Sequence, residues 1–300
     1  MYLYHFGMRE LPFTLTPNTD FFLNLKPHIE AMQVLLNALK QGEGFIKVTG
    51  EVGTGKTLIC RKLLNEIPKG FAVAYIPNPY LTPSELRWAV ASELGLNLDS
   101  KIDQQTLTQR LQQHLLELSS QGKGVVVILD EAQALPDESL EALRLLTNLE
   151  TERRKLLQVI LFAQPELDER LATKQFRQLR QRISFSYQLR SMTPAEVAHY
   201  ITHRTQVAGY QGDDLFSFNC AKKIARASRG IPRLVNILCH KSLLLCFGNK
   251  EKLIKNQHIK LAIKDTVDAN NRINPTLLMV GFALTVAITA GVLFGFGWRL

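Results

Sequence analysis

A glycine-rich run near residue 50 has the composition and spacing of a phosphate-binding loop. Residues 50–57 fit the pattern G-x-x-x-x-G-K-[S/T]. Its three glycines allow backbone N–H groups to wrap around phosphate oxygens, and the start of the following helix adds positive potential. Lys56 is predicted to reach the β- and γ-phosphates, and Thr57 to offer its hydroxyl to Mg²⁺. The run therefore predicts a site for ATP and Mg²⁺ made by Gly50, Glu51, Val52, Gly53, Thr54, Gly55, Lys56, Thr57 and Leu58.

Two carboxylates follow an apolar run that has the character of a buried strand. Residues 125–129 are all aliphatic, and Asp130 and Glu131 come directly after them. In parallel sheets, ligands bind at the carboxyl ends of the strands, where these two residues are expected. We predict that Asp130 helps to hold Mg²⁺. Glu131 is predicted to polarise the attacking water, as a general base or as an orienting group.

Phosphoryl transfer also needs groups that contact the γ-phosphate and neutralise charge in the transition state. Gln164 follows another apolar run and could bind the γ-phosphate or the water. The alternative is an ordinary polar turn residue. A cluster of arginines precedes Ile183, and one of them could act on the site of a neighbouring subunit. The alternative is a solvated basic face. The cluster consists of Arg177, Arg180 and Arg182.

The segment Gly230-Ile-Pro-Arg233 joins two predicted helices. A guanidinium at such a junction could swing onto the γ-phosphate and convert its loss into a domain movement. The alternative is an arginine that only caps a helix. Pro232 and Arg233 are therefore candidate nucleotide contacts.

Short apolar runs alternate with helical patterns up to about residue 190. The runs predict strands of a parallel sheet between layers of helices. From Ser191 the pattern is helical only, with helices near 194–208, 214–228, 231–247 and 256–269. We predict a lead-in at 1–44, an α/β domain at 45–190 and a helical domain at 191–270. The predicted strands are Phe45–Val48, Phe71–Ile76, Val125–Leu129, Leu156–Phe162 and Ile183–Leu189.

The last part of the chain is unlike the rest. No charged residue occurs from Ile273 to Trp298, and the 22 residues from Leu277 onward would form a helix of roughly 33 Å. A bilayer core is about 30 Å thick, so we predict a transmembrane helix at 275–298 that contacts membrane lipid. A buried core helix is the alternative. Basic residues concentrate before the run, which places the large domain in the cytoplasm.

Composition narrows the class of protein further. The 300 residues are 46% hydrophobic and 21% charged, as in globular domains, and the net charge is +9. That charge is compatible with nucleic acid, anionic lipid or bound phosphates, or with a basic surface that has no dedicated partner. The four cysteines match no zinc pattern and are expected to be reduced structural thiols.

Taken together, these motifs resemble the ExeA/GspA group of AAA+ ATPases, which serve secretion and pilus assembly in Gram-negative bacteria. The resemblance covers about residues 2–270. It rests on the Gly50–Thr57 loop, on Leu129-Asp-Glu-Ala-Gln133, Ala163-Gln-Pro-Glu-Leu167, Leu179-Arg-Gln-Arg-Ile183 and Gly230-Ile-Pro-Arg233, and on the lead-in residues Tyr4, Phe6, Gly7, Met8, Pro12, Phe13, Thr16 and Pro17.

The resemblance implies a P-loop αβα domain with a helical lid, self-assembly into a ring or partial ring, and a place at the bacterial inner membrane. It implies partners among type IV pilus (mannose-sensitive haemagglutinin-like) or type II secretion proteins. It also implies that Phe13 and its neighbours border the adenine. Ala163 stands where the family usually has glycine, and Gln133 matches the family without a role that we can derive. The periplasmic peptidoglycan-binding domain of ExeA-type proteins has no counterpart in these 300 residues, so that activity is not carried over.

Two other functions remain open on the sequence. Transposition ATPases that act on DNA share much of this motif set, and the positive charge favours them. A membrane anchor would limit access to DNA, so nucleic acid is not our expected partner. A scaffold that binds nucleotide and turns it over slowly is the other alternative.

Overall fold

A parallel five-stranded sheet lies at the centre of the α/β part of the chain. The computed structural model describes residues 2–16, 18–99, 102–149 and 155–270. The strand order is β2-β3-β4-β1-β5, and every pairing is parallel. The predicted strands are confirmed, with small shifts at their ends. The strands are β1 Phe45–Thr49, β2 Phe71–Ile76, β3 Gly124–Leu129, β4 Gln158–Ala163 and β5 Ile183–Gln188.

Helices connect the strands, and the described part of the chain after β5 contains helices without further strands. Capping boxes at Thr82 and at Thr193 begin two of the helices. Helices α1 to α8 are Tyr2–Phe6, Lys26–Gln41, Lys56–Glu66, Pro83–Glu93, Gln104–Ser120, Asp137–Leu146, Glu166–Leu171 and Arg177–Arg182. Helices α9 to α13 are Pro194–Val207, Phe218–Ser228, Pro232–Gly248, Asn256–Lys264 and Val267–Asn270.

The central strands are buried on both faces because helices cover both sides of the sheet. Successive side chains of a strand point to opposite faces. Ile128 and Ile160 pack in one apolar cluster with side chains of α2 and α3. Val127, Leu129 and Leu161 pack in another with α4, α5 and α6. The result is the expected three-layer αβα arrangement, with both faces of β3 and β4 shielded from water.

The start of the lead-in packs on the helical part, whereas its end forms α2 and packs on the sheet. Tyr2 and Phe13 belong to the same buried cluster as Val197, Ile224 and Leu238 of α9, α10 and α11. The Tyr2 hydroxyl lies 3.0 Å from Nδ1 of His240. The lead-in and helices α9–α13 therefore share one hydrophobic core. All four cysteines are buried and unbridged, as expected for structural thiols.

Two of the predicted C-terminal helices differ from the structure. The helix expected at 214–228 begins only at Phe218, because the Ser217 hydroxyl caps it by accepting from the Cys220 N–H at 3.4 Å. The helix expected at 256–269 is broken after Lys264. There the Thr266 hydroxyl donates to the Ala262 carbonyl at 2.8 Å and so satisfies a carbonyl in the last turn of the helix.

The predicted transmembrane helix at 275–298 lies outside the described residues. Among the residues that are described, no helix combines the length and the apolar character needed to cross a bilayer.

The phosphate-binding loop rests on a buried histidine of α2. The His28 ring is hydrogen-bonded to the backbone at Leu23 and Thr54 and lies against the Phe22 ring, with centroids 5.3 Å apart. Burial lowers the pKa of His28 below its usual 6.5, and the two backbone hydrogen bonds oppose that shift. The folded state therefore favours the neutral form of the His28 ring.

Replacing Gly230 by alanine should destabilise the protein. Gly230 has φ +70°, and an added Cβ would lie 2.0 Å from the Met192 carbonyl oxygen. We expect Gly230→Ala to lose about 3 kcal/mol of unfolding free energy, measured by urea titration. Gly122 also has a positive φ but has open space around its Cβ position, so Gly122→Ala should cost only about 1 kcal/mol. Equal losses would show that the Met192 contact is not what requires glycine.

The stabilising effect of His28 should depend on pH. The unfolded chain protonates His28 near pH 6.5, whereas the folded chain resists protonation, so its contribution is complete above that pH and is lost as the pH falls below it. We expect His28→Gln to be less stable than the wild type at pH 8. The difference in unfolding free energy should shrink between pH 7 and pH 5.5. A difference that is constant with pH would contradict this account.

Candidate active site

Three chain segments with polar side chains meet at one edge of the sheet. The loop at 50–57 follows β1, Asp130 and Glu131 follow β3, and Gln164 follows β4. Because β4 lies between β3 and β1 and all three are parallel, their carboxyl ends face the same side. The fold thus brings together the loop, the acidic pair and Gln164, in the place where parallel sheets bind ligands.

The loop turns sharply at two of its glycines and leads into α3. Gly53 and Gly55 have φ values of +81° and +100°, a region that glycine adopts without strain. Lys56, only 4% exposed, donates from Nζ to the Gly50 carbonyl at 2.8 Å and to the Glu51 carbonyl at 3.1 Å. Burial lowers the pKa of Lys56, and the nearby carboxylates oppose that shift. The ammonium is therefore held over the loop at the start of a helix, where anions bind.

The acidic pair has two different environments. Asp130 is buried, which raises the pKa of its carboxyl; hydrogen bonds from the Thr57 hydroxyl and the Glu131 N–H oppose this. Glu131 is half-buried and has a left-handed backbone, with φ +53°. A hydroxyl beside a carboxylate is a set of hard oxygen ligands that suits Mg²⁺, which takes its other ligands from water and phosphate. Thr57 and Asp130 therefore fit a magnesium site.

The Glu131 carboxylate is held by two glutamine amides. Gln164 donates from Nε2 to Oε2 of Glu131 at 2.9 Å, and Gln133 donates to the same oxygen at 2.6 Å. The backbone N–H of Gln164 donates to Oε1 of Gln133 at 3.0 Å. Gln133 is thus a site residue that sequence analysis could only note. The one sequence feature that could have indicated its role is its position two residues after Glu131.

A cavity of about 350 Å³ lies beside the loop, in the size range of small-molecule sites. Its walls come from the phosphate-binding loop, the lead-in and the helical part of the chain. They comprise Val52, Gly53, Gly55, Lys56, Thr57, Leu58 and Glu131, with Thr14, Leu15, Thr16 and Asn18 from the lead-in and Tyr200, Arg204, Pro232, Arg233 and Asn236 from α9 and α11.

The start of α11 lies directly on the loop. The Arg233 N–H donates to the Gly53 carbonyl at 3.2 Å, and a Cβ on Gly53 would lie 2.6 Å from Cβ of Arg233. Arg233 itself is exposed and, with Pro232, lines the cavity. The structure therefore brings Arg233 to the loop, and its action on a γ-phosphate stays a prediction.

A polar network of Tyr200, Arg204 and Asn236 lines the cavity. Arg204 donates to the Pro12 carbonyl at 2.5 Å and to the Tyr200 hydroxyl at 3.1 Å. Tyr200 donates to the Asn236 side chain at 3.0 Å, and Asn236 donates to the Thr14 carbonyl at 3.1 Å. These helix residues tie the lead-in to α9 and α11. Nothing in their local sequence predicts the contacts of Arg204 and Asn236 with the lead-in, because those partners lie 192 and 222 residues away.

Other candidate residues are not at the cavity. Phe13 is buried against Phe216, with ring centroids 6.0 Å apart, and its neighbour Thr14 lines the cavity instead. Arg180 donates to the Ala172 carbonyl at 3.0 Å, and Arg182 to the Thr147 hydroxyl at 3.5 Å. The adenine contact of Phe13 and the action of either arginine on a neighbouring subunit stay predictions.

Comparisons with known proteins agree with this geometry. The family model for the AAA domain matches residues 39–171. General secretion pathway protein A of Aeromonas hydrophila is 41% identical over 262 residues, which are 87% of this chain. The match covers 48% of that relative, so the chain spans about half of its length.

Solved structures with the same fold include Cdc6p of Pyrobaculum aerophilum, with a TM-score of 0.62, 17% identity and coverage of 83% of this chain and 71% of that one. A Drosophila ORC structure bound to DNA has a TM-score of 0.62 and 19% identity, covering 85% and 64%. The RuvB branch migration motor of Thermotoga maritima has a TM-score of 0.55 and 17% identity, covering 85% and 73%. Residues 39–171 thus match an AAA domain, and over most of its length the chain is similar to a protein of the general secretion pathway.

Proposed function

We propose that this protein binds ATP with Mg²⁺ and hydrolyses it to drive or time the assembly of a membrane machine. One observation carries the enzymatic part: the loop with Lys56, the Thr57–Asp130 pair and the amide-held Glu131 all meet at one edge of the sheet. Each is a part that phosphoryl transfer requires, and the cavity beside them is large enough for a nucleotide.

The first task of these residues is to hold a triphosphate. The backbone N–H groups of the loop and the start of α3 favour negative charge, and Lys56 adds a buried cation. Thr57 and Asp130 would hold Mg²⁺, which when bound neutralises charge on the phosphate oxygens. Because Asp130 is buried and accepts two hydrogen bonds, its carboxylate keeps a fixed position.

The second task is to activate water. Glu131 lines the cavity and has its Oε2 engaged by the two amides, so Oε1 can accept a proton of the attacking water. Gln164 lies between Glu131 and the loop because β4 lies between β3 and β1. This position allows it to contact a γ-phosphate or the same water.

The third task is to convert hydrolysis into movement. Arg233 begins α11 at the loop, and α11 shares its core with the lead-in that lines the cavity. Loss of a γ-phosphate held by Arg233 would shift the helical part, acting as a lid, relative to the sheet. We further propose that the chain assembles with copies of itself and that Arg180 or Arg182 completes a neighbour's site.

The cellular setting rests on the relative and on the apolar C-terminal run. General secretion pathway protein A supports a role at a secretion machine, and the family resemblance of the sequence motifs extends the proposal to type IV pilus assembly. Residues 277–298 are apolar enough in sequence to anchor the chain in a bacterial inner membrane, with the ATPase part facing the cytoplasm. The proposed partners are the inner-membrane proteins of such a machine and the lipid itself.

Substitution of two site residues should separate binding from hydrolysis. Lys56→Ala should abolish ATP turnover and weaken ATP binding, because it removes the cation of the loop. Glu131→Gln should keep ATP–Mg²⁺ binding but lower turnover at least about 100-fold. Turnover is measured by phosphate release and binding by fluorescent-nucleotide titration. Normal turnover in Lys56→Ala would refute the proposed function.

The anchor can be tested separately from the ATPase. We expect the full chain to stay with membranes after alkaline carbonate extraction. A chain truncated after Asn270 should be released, since it lacks the apolar run. Full-length protein in the carbonate-soluble fraction would contradict the anchor and leave the ATPase proposal intact.

A further inference from the structure

Both the NH₂ group and the oxygen of the Gln133 side-chain amide form hydrogen bonds. Its Nε2 lies 2.6 Å from Oε2 of Glu131, and its Oε1 lies 3.0 Å from the backbone N of Gln164. It therefore connects the residue after β3 that would activate water with the residue after β4 that would contact the γ-phosphate. No other side chain among the described residues bonds to both.

The chemistry of the partners fixes which way this amide points. A backbone N–H can only donate, so the oxygen of Gln133 must face Gln164. The NH₂ group is then turned to Glu131, whose ionised carboxylate can only accept. The reversed amide would lose both hydrogen bonds. This orientation therefore follows from the partners and needs no choice between the two flips.

The backbone beneath this side chain is held from a different element. Arg170 of α7 donates to the Gln133 carbonyl at 2.8 Å and to the Leu135 carbonyl at 2.9 Å, and it pairs with Asp137. The turn after Glu131 is thereby tied to the helix that follows Gln164. A change of the Gln133 side chain alone should leave this turn in place.

We propose that Gln133 is a positioning residue for Glu131, and that with Gln164 it fixes Oε2 so that Oε1 is the oxygen presented to the attacking water. The inference rests on the proposed hydrolysis of ATP. Two donors on one carboxylate oxygen restrict rotation about the carboxyl bond more than one donor can. The bond between Gln133 and the Gln164 backbone also makes the base and the γ-phosphate contact move together.

The test is Gln133→Met in the full chain, purified in detergent. Methionine keeps the length of the side chain but removes the amide. We expect kcat for ATP to fall about tenfold or more, the size expected for loss of a hydrogen bond to a charged group. The Kd for ATP–Mg²⁺ and the melting temperature should stay near the wild-type values.

Gln113→Met is the matched control. Gln113 also donates its amide to a glutamate, Glu117, at 3.1 Å, but on the exposed face of α5 away from the cavity. This variant should keep wild-type kcat. A double-mutant cycle between Gln133→Met and Gln164→Met should be non-additive in kcat, because both side chains hold the same oxygen.

Gln133→Asn gives a second, independent readout. Asparagine keeps the amide but is one methylene shorter, so it cannot span the distance between Glu131 and Gln164 as Gln133 does. Its kcat should therefore also fall below that of the wild type, while its Kd for ATP–Mg²⁺ stays near the wild-type value.

The possible outcomes distinguish the positioning role of Gln133 from the proposed ATPase activity. Wild-type kcat in Gln133→Met, equal loss of kcat and ATP affinity, or an additive cycle would overturn the positioning role while leaving the ATPase proposal standing. If Gln133→Met does not fold, wild-type kcat in Gln133→Asn overturns it instead. An absence of magnesium-dependent turnover in the wild type would overturn both proposals.

Discussion

The in-register pairing of β4 between β3 and β1 is the constraint on which the site depends. Thr49 pairs with Ala163, and Leu129 pairs with Leu161, so the residues that follow these strands emerge at defined heights. A slip of one residue would turn Gln164 to the opposite face of the sheet. Because β4 is buried on both faces, the hydrophobic packing of two helical layers protects this register.

The cavity is built by three separate parts of the chain, and none of them could form it alone. The sheet supplies the phosphate-binding loop, the lead-in supplies one wall, and α9 and α11 supply another. Buried hydrogen bonds from Arg204 and Asn236 fasten the lead-in to the helices. Any ligand in the cavity therefore contacts both the sheet and the helical part, which makes their relative position sensitive to what is bound.

The sequence allowed the local features to be predicted. The loop, the acidic pair and the strands are recognisable because their signals, glycine spacing and apolar runs, are contiguous in the sequence. The roles of Gln133 and Tyr200 could not be predicted, because they depend on hydrogen-bond partners that only the fold brings near. The break after Lys264 was missed because hydrophobic periodicity continues through it, while the Thr266 hydroxyl ends the helix locally.

The shared core of the lead-in and the distal helices has a consequence for biosynthesis. Tyr2 meets its partner His240 across 238 positions of sequence, so the lead-in must wait for α11 to be made before it can be buried. Such non-local contacts slow folding, and the apolar lead-in stays uncovered meanwhile. The fold of the lead-in is therefore completed only after α11 has emerged.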